Sequence, residues 1–470
     1  SAAEKLERFL LASRSESGNL SFGLLADLPT APEPETPADE AILAAAAAVV
    51  ERLNRKYGGG FYLFRRPRRF DGESYSGHER KRGALLELAK LLDGQPVQLQ
   101  TVGNRAALDG TRYIISLDSD TEIYPGSLQE LIGAMLHPLN RPVIDEKKAQ
   151  VVSGHGLLHP RIATDLQSSH ETDFALIFAG SGGSDPYGSL CGELYMDAFG
   201  SGGFAGKGIL DIAAFLRCAG DRLPEGRILS HDALEGAYLR GGFVGDVEFC
   251  DRFPSQPLAW FKRLHRWTRG DWQNAPWIFH RELPPIERWR LLDSLRRSLI
   301  APATLLALLL GFYLPHRAVV AAAAWAALLA LLSRLLLSFA EDGLRRRNRV
   351  RLRRYTRLLT GTGASLVQSF LRLWLLPWEA WVCLSAACTA LWRMLVSHRK
   401  LLQWQTAAQS GGGGFAGHIQ AMLLPMLLGF VLLFTLMGAG AGALGSALKN
   451  MDRGVLNRIT GVFMIVFGIW

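Results

Sequence analysis

Two carboxylates separated by one residue, Asp118 and Asp120, follow the apolar run Arg112–Leu117 (RYIISL). At the end of a buried strand, acids at i and i+2 can hold a hard divalent cation, which bridges the two phosphates of a sugar nucleotide and assists departure of the diphosphate. A solvated turn has the same spacing, and the preceding strand pattern is what favours a site. Residues Gly200–Gly208 (GSGGFAGKG) are dense in glycine, which permits positive φ and close approach of backbone to a ligand. Their spacing matches neither a P-loop nor a dinucleotide fingerprint. Gly203, Phe204 and Gly206 are therefore read as an acceptor-side wall, the alternative being a mobile loop. Leu229-Ser230-His231-Asp232 precedes a helical stretch, where Asp232 is either an N-cap or a general base for an acceptor hydroxyl, with His231 as a rival base. Arg263–Trp272 (RLHRWTRGDW) joins cations to indoles: a basic amphipathic helix on a lipid surface, or a wall in which Arg263, Arg266 and Trp267 meet diphosphate and sugar.

The elements that must carry these residues alternate. Phe22–Asp27 is a short apolar run ending in an acid, followed by a Pro/Glu-rich loop and an alanine-rich helix over 40–53. Phe61–Phe64 reads as a second strand, Arg80–Leu85 opens a second helix, and a third helix follows RYIISL over 126–136. Strands alternating with helices predict a mostly parallel, Rossmann-like α/β sheet, in which ligands bind at the carboxyl ends of strands. Asp27 and the Asp118/Asp120 pair should then face one crevice.

The chain of 470 residues carries 52 Lys+Arg against 43 Asp+Glu, a formal charge of +9. Its apolar residues are concentrated after residue 297, and this excludes a wholly soluble protein. Eight arginines between 345 and 357 fall between apolar segments and read as a membrane flank, whereas a nucleic-acid binder would need its basic face on the first half. Candidate spans of roughly 20 residues are Ser298–Leu314, Ala318–Ala340, the Trp-rich stretch Leu358–Val396, Ile419–Leu444 and Val455–Trp470. They give five or six helices, because Pro377 and Glu379 mark either a turn between two short spans or an interfacial helix before one span. An interfacial segment is expected around 397–410, and the charge flanks put residues 1–297 on the cytoplasmic side. Trp374, Trp378, Trp381 and Trp392 are read as an interfacial belt or as sugar-stacking platforms. Cys191, Cys218, Cys250, Cys383 and Cys388 form no CxxC pattern and read as small buried side chains. The opening residues are amphipathic and lack the apolar core of a signal peptide, so the chain is expected to begin partway through a domain.

In that order, the strand-DSD, the glycine-rich segment, SHD and RLHRW before membrane spans resemble the membrane-bound, inverting family-2-type glycosyltransferases. The resemblance is closer to the glucosyltransferase module of cyclic β-1,2-glucan synthases, carried by GHERKRGALLEL, TRYIISLDSDT, HPLNRP, IFAGSGGSDPY, GGFAGKGILD, ILSHDALEG, HRWTRGDWQ and HRKLLQWQTAAQS between residues 18 and 408. It implies a GT-A-like cytoplasmic domain over 1–297 and a transmembrane bundle over 298–470, multi-pass in a bacterial inner membrane. It further implies Mg²⁺ or Mn²⁺ on Asp118 and Asp120, Asp232 as catalytic base, Arg266 and Trp267 ending the QxxRW segment, Asp27 reading uracil, and Lys81 or Arg82 holding the nucleotide. Arg263 stands where that pattern has Gln, and the opening strand with its Pro-Thr turn is missing upstream of Asp27. The implied partners are UDP-glucose, a growing glucan acceptor and the bilayer, with the phosphorylase-like and cyclising regions of such enzymes not seen in these residues. The alternatives are another processive synthase, cellulose-like or hyaluronan-like, and a sugar-nucleotide-binding scaffold without turnover.

Overall fold

The computed structural model describes residues 2–13, 19–70, 72, 74–179, 188–189, 192–313, 362–403 and 422–432, with scattered helical positions from 318 to 438. Two compact units result. The first comprises residues 1–257, 266–295 and 386–406, and the second 258–265, 296–385 and 407–470.

In the first unit, α1 (Ala2–Ala12) packs Leu6 and Phe9 against β1 (Phe22–Ala26), α2 (Pro37–Tyr57) and β2 (Phe61–Arg65). Helix α2 begins as its sequence requires: Pro37 at the first turn, and a reciprocal capping box between Thr36 and Asp39. β1 and β2 pair in parallel, Phe22 opposite Phe61 and Ala26 opposite Arg65, and β3 (Gln100–Val102) adds antiparallel to β2. This register sets Asp27 and Arg66 side by side at the carboxyl ends of the pair. α3 (Arg80–Leu92) follows β2 and buries Leu86, Leu88 and Leu91 in a second core with Phe215 and Tyr238.

The larger sheet contains β4 (Tyr113–Ser116), β5 (Glu122–Ile123), β6 (Leu157–Thr164), β7 (Gly208–Asp211) and β8 (Gly242–Asp251), in the order β4-β7-β6-β8-β5. α4 (Ser127–Leu136) covers one face, its Leu131 fully buried against Leu158, Ile209 and Phe249 of the sheet. Only β6–β8 is parallel here; β4–β7, β7–β6 and β8–β5 are antiparallel. The mostly parallel sheet expected from the strand and helix order is thus corrected to a mixed α/β architecture. The reason is local. A buried strand shows the same apolar run in either direction, and Gly208–Asp211 enters between β4 and β6 running against both. Antiparallel entry has a useful consequence, since Gly208 lies opposite Ser116 and the residues just before β7 meet those just after β4.

α5 (Asp232–Leu239) precedes β8, and α6 (Pro257–Gln273) follows it. Then come α7 (Pro285–Ser298), α8 (Ile300–Tyr313) and α9 (Thr362–Trp392). Among the described residues, one helix, Ser365–Ser397, is long and apolar enough to cross a membrane, and α7 with the start of α8 passes the same test together while bent by 46°. The Trp-rich stretch expected as two short spans or an interfacial piece is one helix with Pro377 inside it. Met422–Leu432 is a shorter apolar helix. Part of Ala318–Ala340, half of the interfacial segment around 397–410, Val455–Trp470, the arginine-rich loop and Cys191 lie outside the described residues. Cys218, Cys250 and Cys383 are buried free thiols, whereas Cys388 is exposed.

Candidate active site

The register of the two sheets brings the chemistry together. Past the end of β4, Asp118 meets two lysines: Lys81 Nζ donates to its Oδ1 at 2.5 Å, and Lys207 Nζ lies 3.2 Å from its Oδ2. Lys81 comes from the first turn of α3 and also donates to the Gly206 carbonyl at 2.7 Å. Lys207 comes from the glycine-rich loop just before β7. Its ammonium is buried between Asp118 and Asp251, to which it also donates. Asp251 ends β8 and accepts a hydrogen bond from Thr121 Oγ1 at 2.8 Å, just past the DSD triplet. Lys5 of α1 holds that triplet from outside, donating to the Ser119 carbonyl at 2.6 Å.

Charge in this cluster follows from burial and pairing. Burial alone raises a carboxyl pKa, yet Lys81 and Lys207 outweigh it and hold Asp118 below the ordinary value. Lys207 is pushed down by desolvation, but Asp118 and Asp251 more than reverse this and keep it charged. Asp232 is different. Desolvation raises its pKa, Lys81 opposes and Asp118 adds to the rise. Arg266 is lowered by its own burial against the pull of Asp232, Asp118 and Asp120, the three carboxylates it faces.

Asp232 is the first residue of α5, with His231 at the cap position, so it is not the N-cap that the sequence allowed. A Cβ on Gly206 would stand 3.0 Å from both Asp232 carboxylate oxygens, and Gly206 has φ +76°. A side chain there would therefore be strained and would crowd the acid. Phe204 packs on α5, its Cβ within 3.1 Å of where a Cβ on Gly236 would sit. Gly203 lies beside Arg290, whose Nη1 donates to the Gly202 carbonyl at 2.7 Å. The rival base His231 is buried, its Nε2 3.0 Å from Glu79 Oε2.

Asp27 receives a two-pronged bond from buried Arg66, Nε to Oδ1 at 2.8 Å and Nη2 to Oδ2 at 2.6 Å. The same guanidinium donates to the His78 and Arg80 carbonyls at 2.6 and 2.9 Å, so Asp27 and Lys81 are positioned from one anchor. Arg82 points the other way, into the protein, donating to the Ala219 and Gly220 carbonyls at 3.0 and 2.6 Å. Of the two basic candidates, Lys81 is the one beside Asp118. Asp120 is exposed. Arg263 and Arg266 lie three residues apart on α6 and hence on one helical face, with Trp267 next in the chain. Arg263 belongs to the second unit, and Arg266 and Trp267 to the first.

Asp118 and Asp120 are the carboxylates of the cluster that could hold a hard divalent cation, one that takes few protein ligands. Among the described residues no group of three or more His, Cys, Asp or Glu is arranged to hold a metal. Two carboxylates with phosphate and water oxygens are the usual donor set for Mg²⁺ at a nucleotide. Lys207 is buried between its two carboxylates, whereas Lys81 is partly exposed.

A likeness to a known protein bears on this constellation. Over 431 residues, 88% of the chain, 34% are identical to the cyclic beta-(1,2)-glucan synthase NdvB of Rhizobium meliloti (strain 1021). The chain is related to a module of cyclic β-glucan synthase. It spans 15% of the length of that relative. No protein-family model matches. The stretch related to NdvB includes residues that sequence reasoning passed over: Arg66, Glu79, Lys207 as a cation, and Asp251. Asp251 carried a usable signal, since GFVGDVEFCD is another strand ending in an acid. The others become visible only through pairing in space.

Glu235, one turn after Asp232, is buried, and desolvation followed by the Asp232 charge raises its pKa to about 7. A carboxyl whose folded pKa lies above its unfolded value stabilises fully below the unfolded pKa and loses that contribution as pH rises through the folded one. Glu235→Gln is therefore expected to match the native protein in melting temperature near pH 5 and to exceed it by pH 8, the difference being on the order of 3 kcal/mol. Melting curves that stay parallel over this range would contradict the assignment.

Proposed function

We propose that the chain transfers glucose from UDP-glucose, with inversion, to the 2-hydroxyl of a growing β-1,2-glucan, as the polymerising module of cyclic glucan synthesis. The single observation that carries the reading is that Asp118, held by Lys81 and Lys207, and Arg266 lie close enough to Asp232 to couple with it electrostatically. A diphosphate needs the cations, and an acceptor hydroxyl needs the base.

In this reading the first unit is a GT-A-type domain on the cytoplasmic face of a bacterial inner membrane, which the chain crosses more than once. Asp27, oriented by Arg66, accepts from uracil, and Lys81 turns from Asp118 to the diphosphate. Asp118 and Asp120 hold Mg²⁺ or Mn²⁺, which when bound neutralises diphosphate charge. Arg266, with Trp267 next to it on α6, flanks the leaving group and sugar, adding preorganised positive charge where charge develops. Asp232 takes the hydroxyl proton as the new bond forms. Gly203, Phe204 and Gly206 place backbone and a ring beside that base, leaving room for the acceptor.

Removing the exposed carboxylate tests the metal arm without opening a buried hole. Asp120→Ala is expected to weaken UDP binding about tenfold in Mn²⁺ and to change it little in EDTA, as loss of one charge-assisted contact implies. Equal UDP affinity for native and variant protein in an Mn²⁺ titration would remove Asp120 from this role.

A further inference from the structure

Glu79 is tied to both sides of the site, although it touches neither proposed substrate. It immediately precedes α3, and it and Arg80 have φ of 54° and 47°, left-handed values that L side chains rarely adopt. Something must hold that turn. Arg66 grips the carbonyls on either side of Glu79, and a Cβ on Gly83 would lie 2.2 Å from the His78 carbonyl, so the turn is also closely packed. The Glu79 carboxylate accepts from the Gly226 backbone N–H, lies 3.0 Å from His231 Nε2, and lies 3.5 Å from Arg82 Nη1.

Those partners bracket the base. His231 immediately precedes Asp232, and Gly226 opens the loop that leads to it. Arg82, on the same turn as Lys81, stands with its Nε 3.5 Å from Glu235 Oε1, three residues beyond Asp232. Glu79, Arg82, His231 and Glu235 are each no more than 7% exposed. Water therefore competes poorly for these contacts. The turn that carries Lys81 is clamped before and after Asp232 by residues 79 and 82.

We propose that Glu79 is a positioning residue, which through His231 fixes the spacing between the donor-side lysine Lys81 and the base Asp232. This rests on the reading of Asp232 as the base given above. A group that sets this spacing acts on the approach of the acceptor oxygen to the anomeric carbon, so its loss should fall on kcat more than on donor binding. A misplacement of about 1 Å costs roughly 10²-fold in rate.

The test uses the full chain in detergent, with UDP-glucose and a β-1,2-glucan acceptor, and reads kcat, KM for UDP-glucose and melting temperature. Glu79→Gln keeps the shape and an acceptor for Gly226 while removing the charge toward His231 and Arg82. It should lower kcat about 10²-fold with KM within about threefold of native. His231→Gln should do the same, and the double variant should be no slower than the worse single, because the two act as one unit. A folded Glu79→Gln protein with kcat within about twofold of native, or single losses that multiply in the double variant, would overturn the proposal. If Glu79→Gln does not fold, His231→Gln decides alone by the same kcat and KM criterion. Failure of the native protein to transfer glucose at all would instead strike the functional reading, before any variant is compared.

Discussion

Asp232→Asn is expected to lower glucosyl transfer by about 10³-fold, within the range measured for loss of a general base, while leaving UDP-glucose affinity nearly native. The substitution keeps the shape of the side chain and removes its capacity to accept a proton. Lys81, Lys207 and Arg266, the cations proposed to meet the diphosphate, remain. Asp232 is suited to this work because burial raises its pKa, giving a stronger base than an exposed aspartate. Single-turnover assays with UDP-glucose, alongside titration with UDP, separate the two effects. Turnover within tenfold of native would move the base elsewhere, and parallel loss of UDP affinity would indicate a disrupted site.

Lys207→Met is expected to have the second large effect, of a different kind. Lys207 is buried between Asp118 and Asp251, and methionine preserves much of its stem while deleting the charge. Two carboxylates are then left close together with one counter-cation fewer. Removing one partner from a buried ionic group costs roughly 3–5 kcal/mol, here shared between stability and the pKa of Asp118. The variant should melt several degrees lower, and its UDP affinity should fall, because Lys81 becomes the main remaining partner of Asp118 and is less free to turn to phosphate. Lys207→Arg, which restores charge in a bulkier form, should recover part of the stability. A Lys207→Met protein with native melting temperature and native UDP affinity would show that the ammonium has no such role.

The parts of this site visible in sequence were those with a local signature. Asp27 and Asp118 each end an apolar strand, and Gly206 sits in a run whose glycine density announces tight backbone. Lys207 lies in the same run, but its side chain acquires meaning only when β7 enters antiparallel to β4, and the apolar pattern of Gly208–Asp211 does not encode direction. Arg66 was hidden for a similar reason: it is one of four arginines around Pro67, and only the in-register pairing of β1 with β2 selects it as the partner of Asp27. Glu79 carries no pattern at all, since a left-handed turn closed by a carboxylate depends on groups far along the chain. In contrast, α2 and α3 were legible from composition, and the Trp-rich stretch was legible as apolar. Its continuity through Pro377 was not, because a proline in a helix can kink it or end it, and packing of the surrounding helices decides.

The central claim is that this chain makes 1,2-linked glucan from UDP-glucose, and product analysis tests it most directly. Detergent-purified protein would be given Mg²⁺ or Mn²⁺, a panel of UDP-sugars and a short β-1,2-glucan acceptor, with the products read by mass spectrometry and linkage analysis. The account predicts growth by hexose units from UDP-glucose alone, every new bond β-1,2. Growth through another linkage, or from another UDP-sugar, would contradict it, and so would UDP-glucose binding without any growth.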